Sequence, residues 1–309
     1  MIKIHNLSKK YAEVEAIKSI NLQVKPNELF GLIGPDGAGK TTLFRILTTL
    51  LIADSGNAAL DGLDVVADYK KIRELIGYMP GRFSLYQDLS VEENLSFFAT
   101  VFGTTIEENY DLIADIYKQI EPFKKRLAGK LSGGMKQKLA LSCALIHKPK
   151  ILLLDEPTTG VDAVSRMEFW QMLKKLQQKG ITILVSTPYM DEASLCDRVA
   201  LIQNGQILTV DTPNGISKSF SKPLFAVNAS NKYQLINDLR NYDLAATVYP
   251  FGEFVHVTLK IKNPDTEPLK SYLISKGNKE IQVGAIEATI EDCFMELMKN
   301  GERRMNIEC

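Results

Sequence analysis

Leu29-Phe30-Gly31-Leu32-Ile33-Gly34-Pro35-Asp36-Gly37-Ala38-Gly39-Lys40-Thr41-Thr42-Leu43-Phe44-Arg45-Ile46-Leu47 decides the fold. An apolar run of strand type enters a glycine-rich turn, and a helical apolar pattern leaves it, which is the setting a phosphate-binding loop requires. Gly34, Gly37 and Gly39 let the backbone curl so that successive N–H groups point inward at phosphate oxygens. Pro35, Asp36 and Ala38 complete the loop, and Lys40 reaches the β and γ oxygens. Thr41 offers its hydroxyl to Mg²⁺, and Thr42 opens a helix whose N-terminus adds positive potential.

Working outward, Ile151-Leu152-Leu153-Leu154-Asp155-Glu156 reads as a buried parallel-sheet strand ending in two carboxylates. Ligands of such sheets bind at the C-terminal strand edge. Asp155 is placed to hold Mg²⁺ through water, and Glu156 to polarise an attacking water. Leu131-Ser132-Gly133-Gly134-Met135-Lys136-Gln137 precedes the helical apolar positions Leu139, Leu141, Ala144 and Leu145. Ser132 is a good helix cap, and the Gly133 and Gly134 amides make a second anion cradle.

With these motifs in this order, the chain resembles the ATP-binding subunits of ABC transporters over about residues 1 to 215, and in the stretch Phe83 to Ser90 those of multidrug and antibiotic exporters. The resemblance implies an α/β fold of P-loop type with a parallel core, an antiparallel edge layer and a helical signature subdomain at about 90–133. It also implies that Tyr11 stacks on adenine, that Gly34 to Thr42 are Walker A and that Ile151 to Glu156 are Walker B. Leu131 to Gln137 would be the signature loop, and Gly160-Val161-Asp162 the D-loop. Two such domains would face head to tail, closing ATP and Mg²⁺ between the loop of one and Ser132 to Gly134 of the other. Glu156 and Lys40 would carry the hydrolytic step.

Two positions depart from the family pattern. After Ile76-Gly77-Tyr78-Met79-Pro80 a glutamine is usual, but Gly81 stands here; after Ile183 to Thr187 a histidine is usual, but Pro188 stands here. Neither offers a side-chain donor or acceptor. Loss of one contact to the transferring phosphoryl group costs about 3 kcal/mol of transition-state stabilisation. Either the site on this chain's own loop is slow and the chain completes a partner's site, or Glu156 with Lys40 sustains modest turnover.

The 37 basic and 37 acidic residues balance, which argues against a nucleic-acid partner. Cys143, Cys196, Cys293 and Cys309 show no pairing motif, as expected of reduced thiols in the cytoplasm. No apolar stretch approaches membrane-spanning length, so a permease would be a separate polypeptide, with this chain on the cytoplasmic face of the membrane. The region Arg82 to Phe102 is the expected docking surface, with Ser90 and Glu93 forming a capping box. The alternative is that its aromatics fill the helical subdomain core.

The sequence divides into an ATP-binding domain at 1–216, a polar linker at 217–223, a C-terminal domain at 224–300 and a frayed tail at 301–309. Strand, helix, strand, strand, helix, strand is the expected order past the linker, the ferredoxin-like arrangement. Three functions compete: a transport-coupled ATPase, an ATP-dependent clamp with little hydrolysis of its own, and a soluble regulatory ATPase.

Overall fold

A computed structural model describes residues 1–261 and 265–305, with side chains up to Lys299. The chain forms two compact units, Met1–Pro213 and Asn214–Lys299. In the first, β1 (Ile2–Tyr11), β2 (Val14–Val24), β4 (Ser55–Leu60) and β5 (Leu63–Asp64) make an antiparallel sheet in the order β2-β1-β4-β5. The core sheet holds β3 (Leu29–Ile33), β6 (Ile76–Met79), β7 (Ile151–Asp155), β8 (Thr182–Thr187), β9 (Arg198–Gln203) and β10 (Gln206–Asp211), ordered β10-β9-β3-β8-β7-β6. All its pairings are parallel except β9 with β10.

Residues of β3 and β7 are buried throughout, as continuous apolar runs predict for strands covered on both faces. Helix α1 (Lys40–Leu47) buries Leu43, Phe44, Ile46 and Leu47 in the core shared with the antiparallel sheet. The short α2 (Tyr69–Leu75) leads into β6, and α6 (Ala163–Gln178) crosses from β7 to β8. The expected edge layer and parallel core are both present.

The helical insertion divides at Phe102 to Thr105, between α3 (Val91–Val101) and α4 (Ile106–Tyr117), and α4 ends ahead of a short 3₁₀ turn that holds Pro122. Ser90 and Glu93 cap α3 reciprocally as expected, and Thr105 with Glu108 does the same for α4. Each box satisfies two otherwise orphaned N–H groups, worth about 1 kcal/mol. Helix α5 (Gly133–Leu145) follows the signature loop.

In the second unit β11 (Leu224–Asn228), α8 (Lys232–Arg240), β12 (Ala245–Phe251), β13 (Phe254–Leu259), α9 (Glu267–Ser275) and β14 (Gln282–Ala285) follow in the expected order. The fully antiparallel sheet order β12-β13-β11-β14 is that of a ferredoxin-like domain. Two expectations need correction. The region read as a linker from Ser217 begins inside α7 (Pro213–Ser219), where Pro213 suits the first helical turn and Ile216 is buried. The tail read as frayed from residue 301 begins inside α10 (Ile290–Met305). Residues 306–309, including Cys309, lie outside the described residues.

Candidate functional site

The phosphate loop follows β3 directly. Gly34 N–H donates to the Thr187 carbonyl at 3.2 Å, and Gly205 N–H donates to the Ala38 carbonyl at 3.0 Å, so neighbouring segments brace both ends. Gly39 has φ +105°, and a Cβ there would lie 2.3 Å from the Ala16 backbone oxygen; only glycine lets β2 approach this closely. Asp36 and Gly37 are exposed at the tip, while Pro35, Thr41 and Thr42 are half-buried.

Lys40 is buried, and its Nζ donates to the Gly34 and Pro35 carbonyls at 2.7 and 2.9 Å. It also pairs with Glu156 Oε1 at 3.0 Å. The two expected catalytic residues, far apart in sequence, therefore meet. Glu156 sits at φ +50° and its N–H donates to the Ser186 carbonyl and hydroxyl, which fixes its backbone at the sheet edge.

Asp155 is buried beside them and accepts from the Ser186 hydroxyl at 2.7 Å. Burial pushes its carboxyl above the ordinary value; hydrogen bonds from Ser186 and Thr41 oppose that shift, and the Glu156 charge adds to it. A carboxylate and a threonine hydroxyl side by side are hard oxygen donors, the chemistry Mg²⁺ takes with nucleotide phosphates. The residues present thus fit that ion.

The other expected residues group elsewhere. Ser132 caps α5, accepting from Met135 N–H at 3.4 Å. A Cβ on Gly133 would lie 3.4 Å from the Gly160 carbonyl and one on Gly134 2.7 Å from the Ser165 hydroxyl, so this loop rests on the turn before α6 and on the first turn of that helix. Asp162 caps α6 by accepting from Ser165 N–H at 3.0 Å, and these bonds hold its carboxyl below the ordinary value. Gln137 lines a cleft with Gly81 and Phe83. Tyr11 ends β1 with an exposed ring.

The structure places Gly81 against Asp155: a Cβ there would sit 3.1 Å from the Asp155 carbonyl and 3.8 Å from its Oδ2. Beside Pro188, Thr187 donates its hydroxyl to the buried Glu192 at 2.5 Å. Glu192 also accepts from Thr158 at 3.1 Å and from Arg166 Nε at 3.1 Å, and Arg166 stacks on Tyr189. This clamp ties the end of β8 to the segment after β7. Nothing in the local sequence signals it, because its members share no spacing pattern.

The cleft at Arg82 to Phe102 has a volume of about 520 Å³ and is lined by Phe83, Leu85, Phe98 and Phe102. Asn94, fully buried, accepts from Tyr86 N–H and donates to the Tyr86 carbonyl, which pins the rim of the loop. Tyr86 and Phe97 are exposed and meet edge to face at 4.9 Å, whereas Leu95 is core. No aromatic of this stretch is fully buried: Tyr86, Phe97 and Phe102 are exposed, and Phe83 and Phe98 are half-buried.

Residues 17–159 match the ABC transporter family. The chain is 32% identical over 300 residues to the Nod factor export ATP-binding protein I of Burkholderia orbicola, covering 96% of each. The chain belongs to the ABC transporter ATP-binding proteins. It is also 36% identical to the probable multidrug ABC transporter ATP-binding protein YbhF of Escherichia coli, over 96% of this chain but only 52% of that protein. It therefore spans about half the length of that relative. The dimeric structure of the bacterial ABC transporter cassette MJ0796 matches with a TM-score of 0.63 at 28% identity, over 69% of this chain and 98% of the cassette. Among the described residues of this ABC protein, no helix is long and apolar enough to cross a membrane.

Proposed function

We propose that this ABC protein is an ATP-hydrolysing subunit that dimerises head to tail around ATP and drives export through a separate permease, working at the cytoplasmic face of the membrane. The observation that carries this reading is the meeting of Lys40, Thr41, Asp155 and Glu156 at one edge of the parallel sheet. Lys40 binds the β and γ oxygens, and the loop amides from Gly37 to Thr41 hold the rest of the triphosphate. Glu156 orients and polarises the attacking water. Mg²⁺, held by Thr41 and Asp155, would neutralise charge on the phosphate oxygens. Ser132 to Gly134 of a second copy, or of a related domain, completes the site, with Gln137 and Asp162 near the same junction; Tyr11 supports the adenine. The cleft from Arg82 to Phe102 receives the permease, because it combines apolar walls with an anchored, exposed rim.

A second reading is favoured by Gly81 and Pro188, which leave Asp155 and the γ-phosphate position without the usual side chains. In it the chain closes on ATP but turns it over slowly and completes a partner's site. Steady-state ATP hydrolysis by the purified chain, with light scattering to report the dimer, separates the two. Turnover above the Glu156→Gln background supports the first. Closure without turnover supports the second, and neither closure nor turnover refutes both.

A further inference from the structure

We propose that Glu192 is a positioning residue for hydrolysis, holding the backbone that carries Glu156; the role rests on Glu156 acting as the hydrolytic base. Glu156 sits at φ +50°. A residue with a Cβ keeps that left-handed conformation only where its surroundings over-determine it.

Here the constraint reaches Glu156 from two directions and converges on one carboxylate. On the amide side, the Glu156 N–H donates to the Ser186 carbonyl and hydroxyl at the end of β8. The next residue of that strand, Thr187, accepts from the Tyr189 N–H at 3.1 Å and donates its hydroxyl to Glu192 Oε2 at 2.5 Å. On the other side, Thr158, two residues beyond Glu156, donates to the same Oε2 at 3.1 Å. Thr158, Thr187 and Glu192 are all buried, so solvent is not at hand to replace either bond.

The second oxygen, Oε1, accepts from Arg166 Nε at 3.1 Å, and that guanidinium is fixed in turn by Asp191 at 3.2 Å and by its stack on Tyr189 at 4.3 Å. Every group facing the Glu192 carboxylate is thus a donor, which suits an acceptor on both oxygens. An amide in its place would lose one side, because its NH₂ end faces either the guanidinium or the two hydroxyl hydrogens. The phosphate loop depends on this clamp less. Besides the bond from Gly34 to the Thr187 carbonyl, it is braced by Gly205 on Ala38 and by Lys40 on Gly34 and Pro35. Loosening Glu192 should therefore disturb the chemistry more than the binding of ATP.

The test is steady-state phosphate release, with equilibrium binding of a fluorescent ATP analogue, for Glu192→Gln in the wild-type chain and in the Glu156→Gln chain. Misplacing a catalytic group by a fraction of an ångström predicts a kcat lower by about tenfold or more, with nucleotide affinity kept within about twofold. In the Glu156→Gln background the same change should leave the residual rate where it is, since a support has no effect once the group it supports is gone. Thr158→Val cuts one flank without touching the carboxylate and should lower kcat severalfold, and Thr158→Ser, which keeps the hydroxyl, should recover most of that loss; this pair decides the matter if Glu192→Gln does not fold. A wild-type kcat in Glu192→Gln, an equal loss in both backgrounds, a parallel loss of nucleotide affinity, or equal rates for the Val and Ser variants would overturn the proposal while leaving the ATPase reading in place. Wild-type turnover no higher than that of Glu156→Gln would instead remove Glu156 from hydrolysis and this proposal with it.

Discussion

Replacing Glu156 by glutamine tests the chemistry at its centre, because this side chain is assigned two opposing jobs. It pairs with Lys40 at 3.0 Å, with Lys40 2% and Glu156 20% exposed, and Lys40 must release it to reach phosphate. A partly screened pair of this kind stabilises by about 1 kcal/mol, a factor of about five in an equilibrium constant. Glutamine keeps the length and can still accept from Lys40, but without the charge. ATP affinity is therefore expected to rise about two- to fivefold, measured by equilibrium binding of a fluorescent ATP analogue. Turnover should fall by about 10²- to 10⁴-fold, the usual contribution of a positioned base. Weaker ATP binding in Glu156→Gln would refute the competition for Lys40, and a loss of turnover under tenfold would remove Glu156 from the hydrolytic step.

Three further outcomes follow from the same geometry. Gly39→Ala is expected to cost about 3–5 kcal/mol in denaturant unfolding, since its Cβ would meet the Ala16 oxygen at 2.3 Å, whereas Gly37→Ala, with open space around it, should cost about 1 kcal/mol. Burial holds the His147 imidazole below its ordinary value, against the raising effect of its bond to the Ile76 carbonyl. The unfolded chain then binds the proton more readily, so the stability from this group is full above pH ~6.5 and declines as pH falls below it; thermal midpoints between pH 5 and 7.5 should drop more for the wild type than for His147→Gln. Gly81→Gln combined with Pro188→His should raise kcat about tenfold or more by restoring contacts to the reacting phosphate, read by phosphate release. Unchanged turnover in a folded double variant would show that Glu156 and Lys40 already suffice.

Much of this was legible because each motif carries its own local physics. The alternation of apolar strands with glycine turns gave β3 and the loop that follows, and Ser90 with Glu93 announced the start of α3. The same Ser/Thr-x-x-Glu signal is present at Thr105 and Glu108, ahead of α4, and Gly103 marks the break before it; both could have been read. Helix α7 was hidden because Ser217 to Ser219 look like linker by composition, while its single buried anchor, Ile216, is visible only in three dimensions. The Glu192 clamp and the Asn94 pin were illegible for another reason. Both are buried polar groups whose partners are backbone atoms or side chains on other elements, which no periodicity records.

The resting partner of Lys40 bears on which anions the loop accepts. Glu156 is a tethered carboxylate, present at the lysine at an effective concentration on the order of millimolar or higher. Free inorganic phosphate or sulfate has to displace it from bulk solution while engaging few other groups. In the proposed ATP site, a nucleoside triphosphate would also engage the run of backbone amides from Gly37 to Thr41 and so displace the carboxylate by multivalency. On the proposed reading, the internal salt bridge would act as a selectivity filter that disfavours simple ions at this cradle.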